Sequence, residues 1–292
     1  MNCFNGERYL DQAVQSVLEQ SYDNWEIIFW DNQSTDGSAD IFRSYSDSRF
    51  KYWYAPEHTR LYEARNCALE RSSGEVVAFL DTDDWWLPHK LADQVPRFVD
   101  PEVGLVCSNW WNKSEVSGKE WKGHSSKKLS GFVFHELLRS YWVGLVTLVI
   151  RRSAIESLDY WCDPKYQIIG DFDLVVRLAH QWKLDYSFEP LACYRVHESS
   201  LMARSQDLIS AEMEDWFDRA CSHEPMASSP NLMCVKWSLI YIRAMGMLSD
   251  GERAKAFELW KILPWRRLRF KLGIALLIPS LVTLRGRSTN IL

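Results

Sequence analysis

The chain has 292 residues, 47% of them hydrophobic and 25% charged, a balance that excludes a disordered chain and a multi-span membrane protein. Its net charge of −5 argues against a general nucleic-acid binder, and no nucleic-acid partner is expected. The charge is uneven, because residues 260–287 carry seven Lys and Arg with no Asp or Glu and leave −12 on the rest, so an acidic, cation-tolerant body with a basic tail is expected.

Leu10, Ala13, Val14, Val17 and Leu18 recur at helical spacing and predict a first helix that ends near Ser21. A helix starting so early leaves no first strand, although an α/β sheet normally opens with one, so residues are expected to be missing at the N-terminus. Trp25–Trp30 reads as a strand entering the turn formers Asp31–Gly37, and a second helix follows from about Ser38. Phe50–Tyr54 reads as a strand, Tyr62–Ser72 as a helix, and Glu75–Leu80 as an apolar strand running into Asp81-Thr82-Asp83-Asp84. This alternation implies a parallel sheet with ligand-binding loops at the carboxyl ends of its strands.

Beyond Pro88 the pattern predicts a helix over Lys90–Phe98, a strand over Val103–Ser108 and a surface loop over Asn112–Lys128. Leu145–Ile150 reads as a strand, Asp173–Gln181 as a helix and Ser187–Tyr194 as extended chain. From about Leu208 the pattern is helical, with a break at Ser222–Pro230. Leu272–Leu284 is an apolar run between basic clusters, too short to span a bilayer and bent by Pro279. With Trp260 and Trp265 it suits a membrane interface, and a buried terminal helix is the alternative. Seven widely spaced cysteines without a CxxC pair, together with no recognisable targeting peptide, point to a cytoplasmic setting and no zinc site.

Three chemical features stand out. Asp81, Asp83 and Asp84 would repel one another unless a hard cation such as Mg²⁺ or Mn²⁺ sat among them, an acidic solvated turn being the alternative. Asp171 precedes a helix, where it could act as a general base or as a helix cap. His197 could join a metal shell, touch a diphosphate or be structural.

The ordered series Ala64-Arg65-Asn66, Ser73-Gly74-Glu75, Val76 through Asp84, Pro88 and Leu91 resembles the family 2 glycosyltransferases. So do Phe4-Asn5-Gly6, Asp31 to Ser38, Gly170-Asp171-Phe172-Asp173-Leu174 and Tyr194-Arg195-Val196-His197. The chain departs from the family in having only Met1–Phe4 of the first strand, Asn32 for a second Asp, and Gly170 for the first acid before Asp171.

The resemblance implies an α/β fold of the GT-A nucleotide-diphospho-sugar transferase type, a Rossmann-like mixed sheet flanked by helices with a C-terminal helical extension. Residues 1–110 would form the sugar-nucleotide half, 111–205 the acceptor-binding and catalytic half, and 206–292 the extension. It implies that Asn5, Asp31, Asn32, Arg60, Arg65, Asp81 and Asp83 hold the donor and that Asp83, Asp84 and His197 hold Mg²⁺ or Mn²⁺. Asp171 would be the catalytic base. The expected activity is inverting transfer from a nucleoside-diphosphate sugar to a saccharide or lipid-linked saccharide in surface polysaccharide or glycolipid synthesis. Peripheral contact with the inner face of the cell membrane through residues 260–287 is expected. The rivals are a non-catalytic sugar-nucleotide-binding protein and a nucleotidyltransferase, although the latter's Gly-rich phosphate loop with a Lys is not found.

Overall fold

The computed structural model describes residues 1–198, 200, 205–264 and 267–277. In chain order the elements are β1 (Asn2–Cys3), α1 (Glu7–Leu18), β2 (Ile27–Asp31), α2 (Ser38–Ser44), β3 (Phe50–Tyr54), α3 (Leu61–Glu70), β4 (Val76–Ala78), β5 (Trp85–Trp86) and α4 (Lys90–Gln94). There follow β6 (Val103–Ser114), β7 (Glu120–Lys122), α5 (Phe134–Arg139), β8 (Val149–Arg151), α6 (Arg152–Glu156), α7 (Gly170–Gln181) and β9 (Lys183–Val196). The last helices are α8 (Gln206–Ala220), α9 (Leu232–Ser249), α10 (Arg253–Ile262) and α11 (Arg267–Leu277). The chain divides into one unit of Met1–Val133 with Val143–Ser200 and a second of Phe134–Trp142 with Leu201–Leu292.

The first unit is α/β. Strands β1, β2 and β3 lie side by side in parallel, and a second, mixed sheet runs β4-β8-β6-β9-β5 with β7 on β6. Helix α1 buries Leu10, Ala13, Val14 and Val17 against Phe29, Phe42, Leu80 and Trp86. Burial of side chains the size of Leu10, Val14 and Val17 contributes about 1.5–3 kcal/mol each. Parallel pairing of β1 to β3 brings their following loops to one edge, where Asn5, Asp31 and Asn32 gather.

The sequence pattern misplaced several elements. A first strand is present, with Asn2 and Cys3 paired to Trp30 and Asp31, but two residues are too few to show a period. The expected helix over Lys90–Phe98 breaks into a 3-10 turn at Val95–Val99, where Pro96 supplies no N–H for α-helical bonding. Part of the expected loop over Asn112–Lys128 is a hairpin, in which Trp111, Asn112 and Lys113 of β6 pair with Lys122, Trp121 and Glu120 of β7. Leu145–Thr147 is a 3-10 turn, so the strand expected from Leu145 is only Val149–Arg151.

Strands β6 and β9 slip register around Asn109 and Pro190, where the proline cannot donate to the ladder. The buried Asn109 side chain instead pairs like a peptide, donating to the His124 carbonyl at 2.9 Å and accepting from its N–H at 2.8 Å.

The second unit is helical. Helix α9 packs on α8, α10 and α11 and buries Leu232, Val235, Leu239, Ala244 and Leu248. Among the described helices it is the one long and apolar enough to cross a membrane by length and composition. The expected interfacial run is described only as far as Leu277, and the rest of it lies outside the described residues.

Candidate active site

The loops at the edge of the parallel sheet are locked by side chains acting as backbone partners. Asp31, fully buried, accepts the Ser34 N–H at 2.8 Å and the Tyr52 hydroxyl at 2.6 Å. The Asn32 amide pairs with Thr59 like a peptide, donating to its carbonyl at 2.8 Å and accepting its N–H at 3.1 Å. Asn5, with a left-handed φ of 54°, accepts the Thr35 N–H at 2.8 Å. The starts of α1 and α2 cap each other, since Asp36 accepts the Glu7 N–H and Glu7 accepts the Gly37 N–H. Gly6 permits close approach of the acidic loop, because a Cβ there would lie 2.8 Å from Thr82 Oγ1.

Asp81, Asp83 and Asp84 follow β4 but face different partners. Asp81 receives Arg65 Nη2 on both carboxylate oxygens, at 2.7 and 3.0 Å. The Asp83 carboxylate meets His197 Nε2 at 2.9 Å. Asp84 is buried and accepts the Arg195 N–H at 2.8 Å. Burial, and then the neighbouring Asp83 charge, pushes the Asp84 carboxyl well above the usual carboxylate range. Arg195 clamps this loop to the end of β9, its Nε donating to the Asp83 carbonyl at 2.8 Å while the guanidinium lies over the Tyr9 and Trp85 rings.

Asp171 stands in the first turn of α7, where the helix N-terminus favours a carboxylate. Burial still pushes its carboxyl above the ordinary aspartate range, against the lowering effects of Arg65 and of a hydrogen bond from Tyr62. Its helix is fixed from behind by Asp173, which is buried and bonded to Arg177 Nε at 2.9 Å, while Arg177 donates to the Tyr160 and Trp161 carbonyls. Asn66 fixes the preceding loop by pairing both ways with the Cys162 backbone, at 2.8 and 3.0 Å. The Ala-Arg-Asn run therefore has a physical reason in every residue: Ala64 packs in the core, Arg65 holds Asp81, and Asn66 holds the loop leading to Asp171.

Glycosyl transferase family 2 matches residues 1–156 of the chain, more than half of its length. The chain belongs to glycosyl transferase family 2. Its family relatives include a Bacillus subtilis (strain 168) glycosyltransferase, TuaG, whose name assigns it to teichuronic acid biosynthesis. That protein is 45% identical over 218 residues, covering 73% of this chain and 83% of the relative. An Escherichia coli UDP-Glc:alpha-D-GlcNAc-diphosphoundecaprenol beta-1,3-glucosyltransferase, WfgD, is 29% identical over 162 residues, 55% of this chain and 62% of its own length. Among solved structures, S. aureus TarS residues 1–349 in complex with UDP-GlcNAc align with TM-score 0.62 at 16% identity, over 94% of this chain and 78% of that one. The mannosyltransferase PcManGT of Pyrobaculum calidifontis, in complex with GDP-Man and Mn²⁺, aligns with TM-score 0.62 at 18% identity, over 97% and 81%. The fold of this family 2 glycosyltransferase is therefore of the GT-A type, a mixed sheet flanked by helices.

The expected site residues separate into two groups in the structure. Asp81 with Arg65, and Asp83 with His197, are brought together, and Asp84 lies behind them. Arg60 is exposed and its guanidinium reaches the Lys165 carbonyl at 3.3 Å. The side chains of Asp31 and Asn32 bond to neighbouring chain, which shapes the loop they sit in. Three residues escape sequence reasoning: Arg195, Tyr62, and Phe4, whose half-exposed ring lies 4.3 Å from that of His58. Arg195 lies inside the Tyr194–His197 motif, where the histidine is the more obvious ligand. Tyr62 sits one helical turn before Arg65, a spacing that puts both on one face.

Proposed function

We propose that this family 2 enzyme is an inverting, metal-assisted glycosyltransferase that moves a sugar from a nucleoside-diphosphate donor to a saccharide or lipid-linked saccharide acceptor. The observation that carries this is the pairing of two poised sites on one helix: α3 supplies Arg65 to the acidic loop and Tyr62 to Asp171. The donor sits at the carboxyl edge of the parallel strands, with Asn5 and the Asp31–Asn32 loop near the base, Phe4 offering a ring face, and Arg60, Arg65 and Asp81 toward the diphosphate and sugar.

Asp83 and His197 would hold a divalent cation, with the buried Asp84 carboxyl next to them in the loop. The donor set suits such an ion in its chemistry, a carboxylate oxygen of Asp83 standing beside the imidazole nitrogen of His197 at 2.9 Å. Among the described residues no three His, Cys, Asp or Glu side chains form a closed cage. When bound, the cation neutralises charge on the departing diphosphate.

Asp171 takes the acceptor's proton as the hydroxyl oxygen forms a bond to the anomeric carbon. The bond from that carbon to the diphosphate oxygen breaks, and the nucleoside diphosphate leaves with the electron pair. WfgD is named for a UDP-Glc donor and a diphosphoundecaprenol-linked acceptor, and TuaG for teichuronic acid, which supports a role in surface polysaccharide synthesis. Incubation of the chain with UDP-glucose, UDP-GlcNAc and GDP-mannose in Mn²⁺ tests the reading. Release of UDP or GDP from one of them, abolished by EDTA, is expected, whereas release unaffected by EDTA would remove the metal from the account.

The acceptor's lipid would place the enzyme on the inner face of the cell membrane. Supporting this, α10 and α11 border an apolar cavity of about 730 Å³ lined by Phe257, Trp260, Phe270, Ile274 and Leu277. Phe270 is 72% and Leu277 77% exposed, and Arg253, Lys261, Arg267 and Lys271 lie on the same two helices. In low salt the chain is expected to sediment with vesicles of phosphatidylglycerol and not with phosphatidylcholine, and Phe270→Asp to lower the bound fraction severalfold. Equal recovery in the supernatant with both lipids would remove the membrane contact.

A further inference from the structure

Gly170 stands where the resemblance puts an acid, and the structure shows what occupies the space. A Cβ on Gly170 would lie 2.6 Å from Cγ of the Tyr62 ring and 2.7 Å from both Cδ atoms, far inside contact distance. The Tyr62 ring therefore packs face-on against the bare backbone at the start of α7, and it is 2% exposed. From that seat its hydroxyl reaches Asp171 Oδ1 and the Ile168 carbonyl, each at 3.0 Å. The ring is backed by Arg65, whose guanidinium carbon lies 4.8 Å from the ring centroid and whose Nη2 is tied to Asp81.

A phenol has one proton to give and lone pairs to receive. Beside a charged Asp171 it donates to the carboxylate. Once the carboxyl holds a proton, the phenol can turn its own proton to the Ile168 carbonyl and accept from Asp171. The carboxyl group thus has a partner in both protonation states without rotating. The charged state gains more, because a hydrogen bond to a carboxylate is stronger than one to a neutral acid.

We propose that Tyr62 is the positioning residue of the catalytic base, holding Asp171 in one orientation from the site vacated at Gly170. This rests on Asp171 being the base. The groups facing Asp171 are Tyr62 and Arg65 from α3 and Cys162 from the preceding loop. Tyr62 holds the Asp171 carboxylate through a side-chain hydrogen bond, and removal of a single oxygen atom tests it.

The test is Tyr62→Phe in the full chain, which keeps the ring against Gly170 and removes only the hydroxyl. The readouts are nucleoside diphosphate release, in Mn²⁺, from whichever of UDP-glucose, UDP-GlcNAc and GDP-mannose the wild type turns over fastest, together with Tm. Expected are a fall in kcat of about 10- to 100-fold, the worth of one charge-assisted hydrogen bond, an unchanged KM, and an acid limb of the kcat profile moved to higher pH. The shift has that sign because donation from Tyr62 favours the charged form and its loss raises the carboxyl's pKa. Gly170→Ala, which forces the ring aside, should lower kcat similarly, and in a Tyr62→Ala background the same change should cost nothing further. If Tyr62→Phe keeps wild-type kcat and pH profile while Asp171→Asn is inactive, the positioning role is wrong and the base stands. If Asp171→Asn is itself active, the assignment of the base fails and this inference with it.

Discussion

Asp171→Asn is expected to lower turnover by about 10²–10⁴-fold, the usual worth of a positioned general base, while leaving donor affinity within about twofold. An amide is nearly isosteric with the carboxyl and keeps an oxygen for the Tyr62 hydroxyl to donate to, so the packing of α7 should survive. What it loses is the capacity to take a proton from the acceptor. Because burial pushes the Asp171 carboxyl above the ordinary aspartate range, wild-type turnover should fall as pH drops through that elevated value, since only the ionised form accepts the proton. Steady-state kinetics from pH 4 to 8, with calorimetric titration of UDP or GDP on both proteins, checks the two halves separately. Wild-type turnover in the variant would leave Asp171 as a residue of the helix start only.

Asp83→Ala is expected to weaken Mn²⁺-dependent binding of UDP or GDP by about 100-fold, because a lost hard ligand removes several kcal/mol of charge stabilisation at the diphosphate. The fold should hold, as the Asp83 side chain is one-third exposed and its partner is a single imidazole. Asp84 is a poorer choice for this test, since its carboxylate is buried and anchors the Arg195 backbone, so truncation would loosen the loop as well. Titrations run in Mn²⁺ and again in EDTA distinguish the outcomes. Equal binding by wild type and variant in Mn²⁺ would move the cation elsewhere.

Much of this architecture was legible in the residues. Apolar runs at two periods located β2, β3, α1 and α3 closely, because hydrophobic spacing is imposed by the core each element must bury, and the acidic run was found after β4 as expected. Asp171 was legible only through its motif, since a carboxylate before an apolar run serves a cap as readily as a base. The hydrophobic pattern missed β1, whose two residues carry no period, although the resemblance placed a remnant of a first strand at Met1–Phe4, and it missed β7 because Glu120 and Lys122 flank Trp121 in a segment whose polarity reads as a loop. Tyr62 was hidden for a different reason. Its role depends on Gly170, 108 positions away, and a missing side chain gives no signal until the fold shows what fills its place. The same holds for Asn32, Asn66 and Asn109, whose amides replace backbone partners that only the tertiary structure brings near.

The most direct test of the account is the anomeric configuration of the sugar first released by the wild-type chain from an α-linked donor, UDP-glucose, UDP-GlcNAc or GDP-mannose, in Mg²⁺. Proton NMR read before mutarotation distinguishes the two anomers. A single displacement assisted by Asp171 predicts the β-anomer from wild type and about 10²–10⁴-fold less release from Asp171→Asn. The α-anomer would require a second displacement at the anomeric carbon and would contradict the assignment of Asp171 as the base of an inverting transfer.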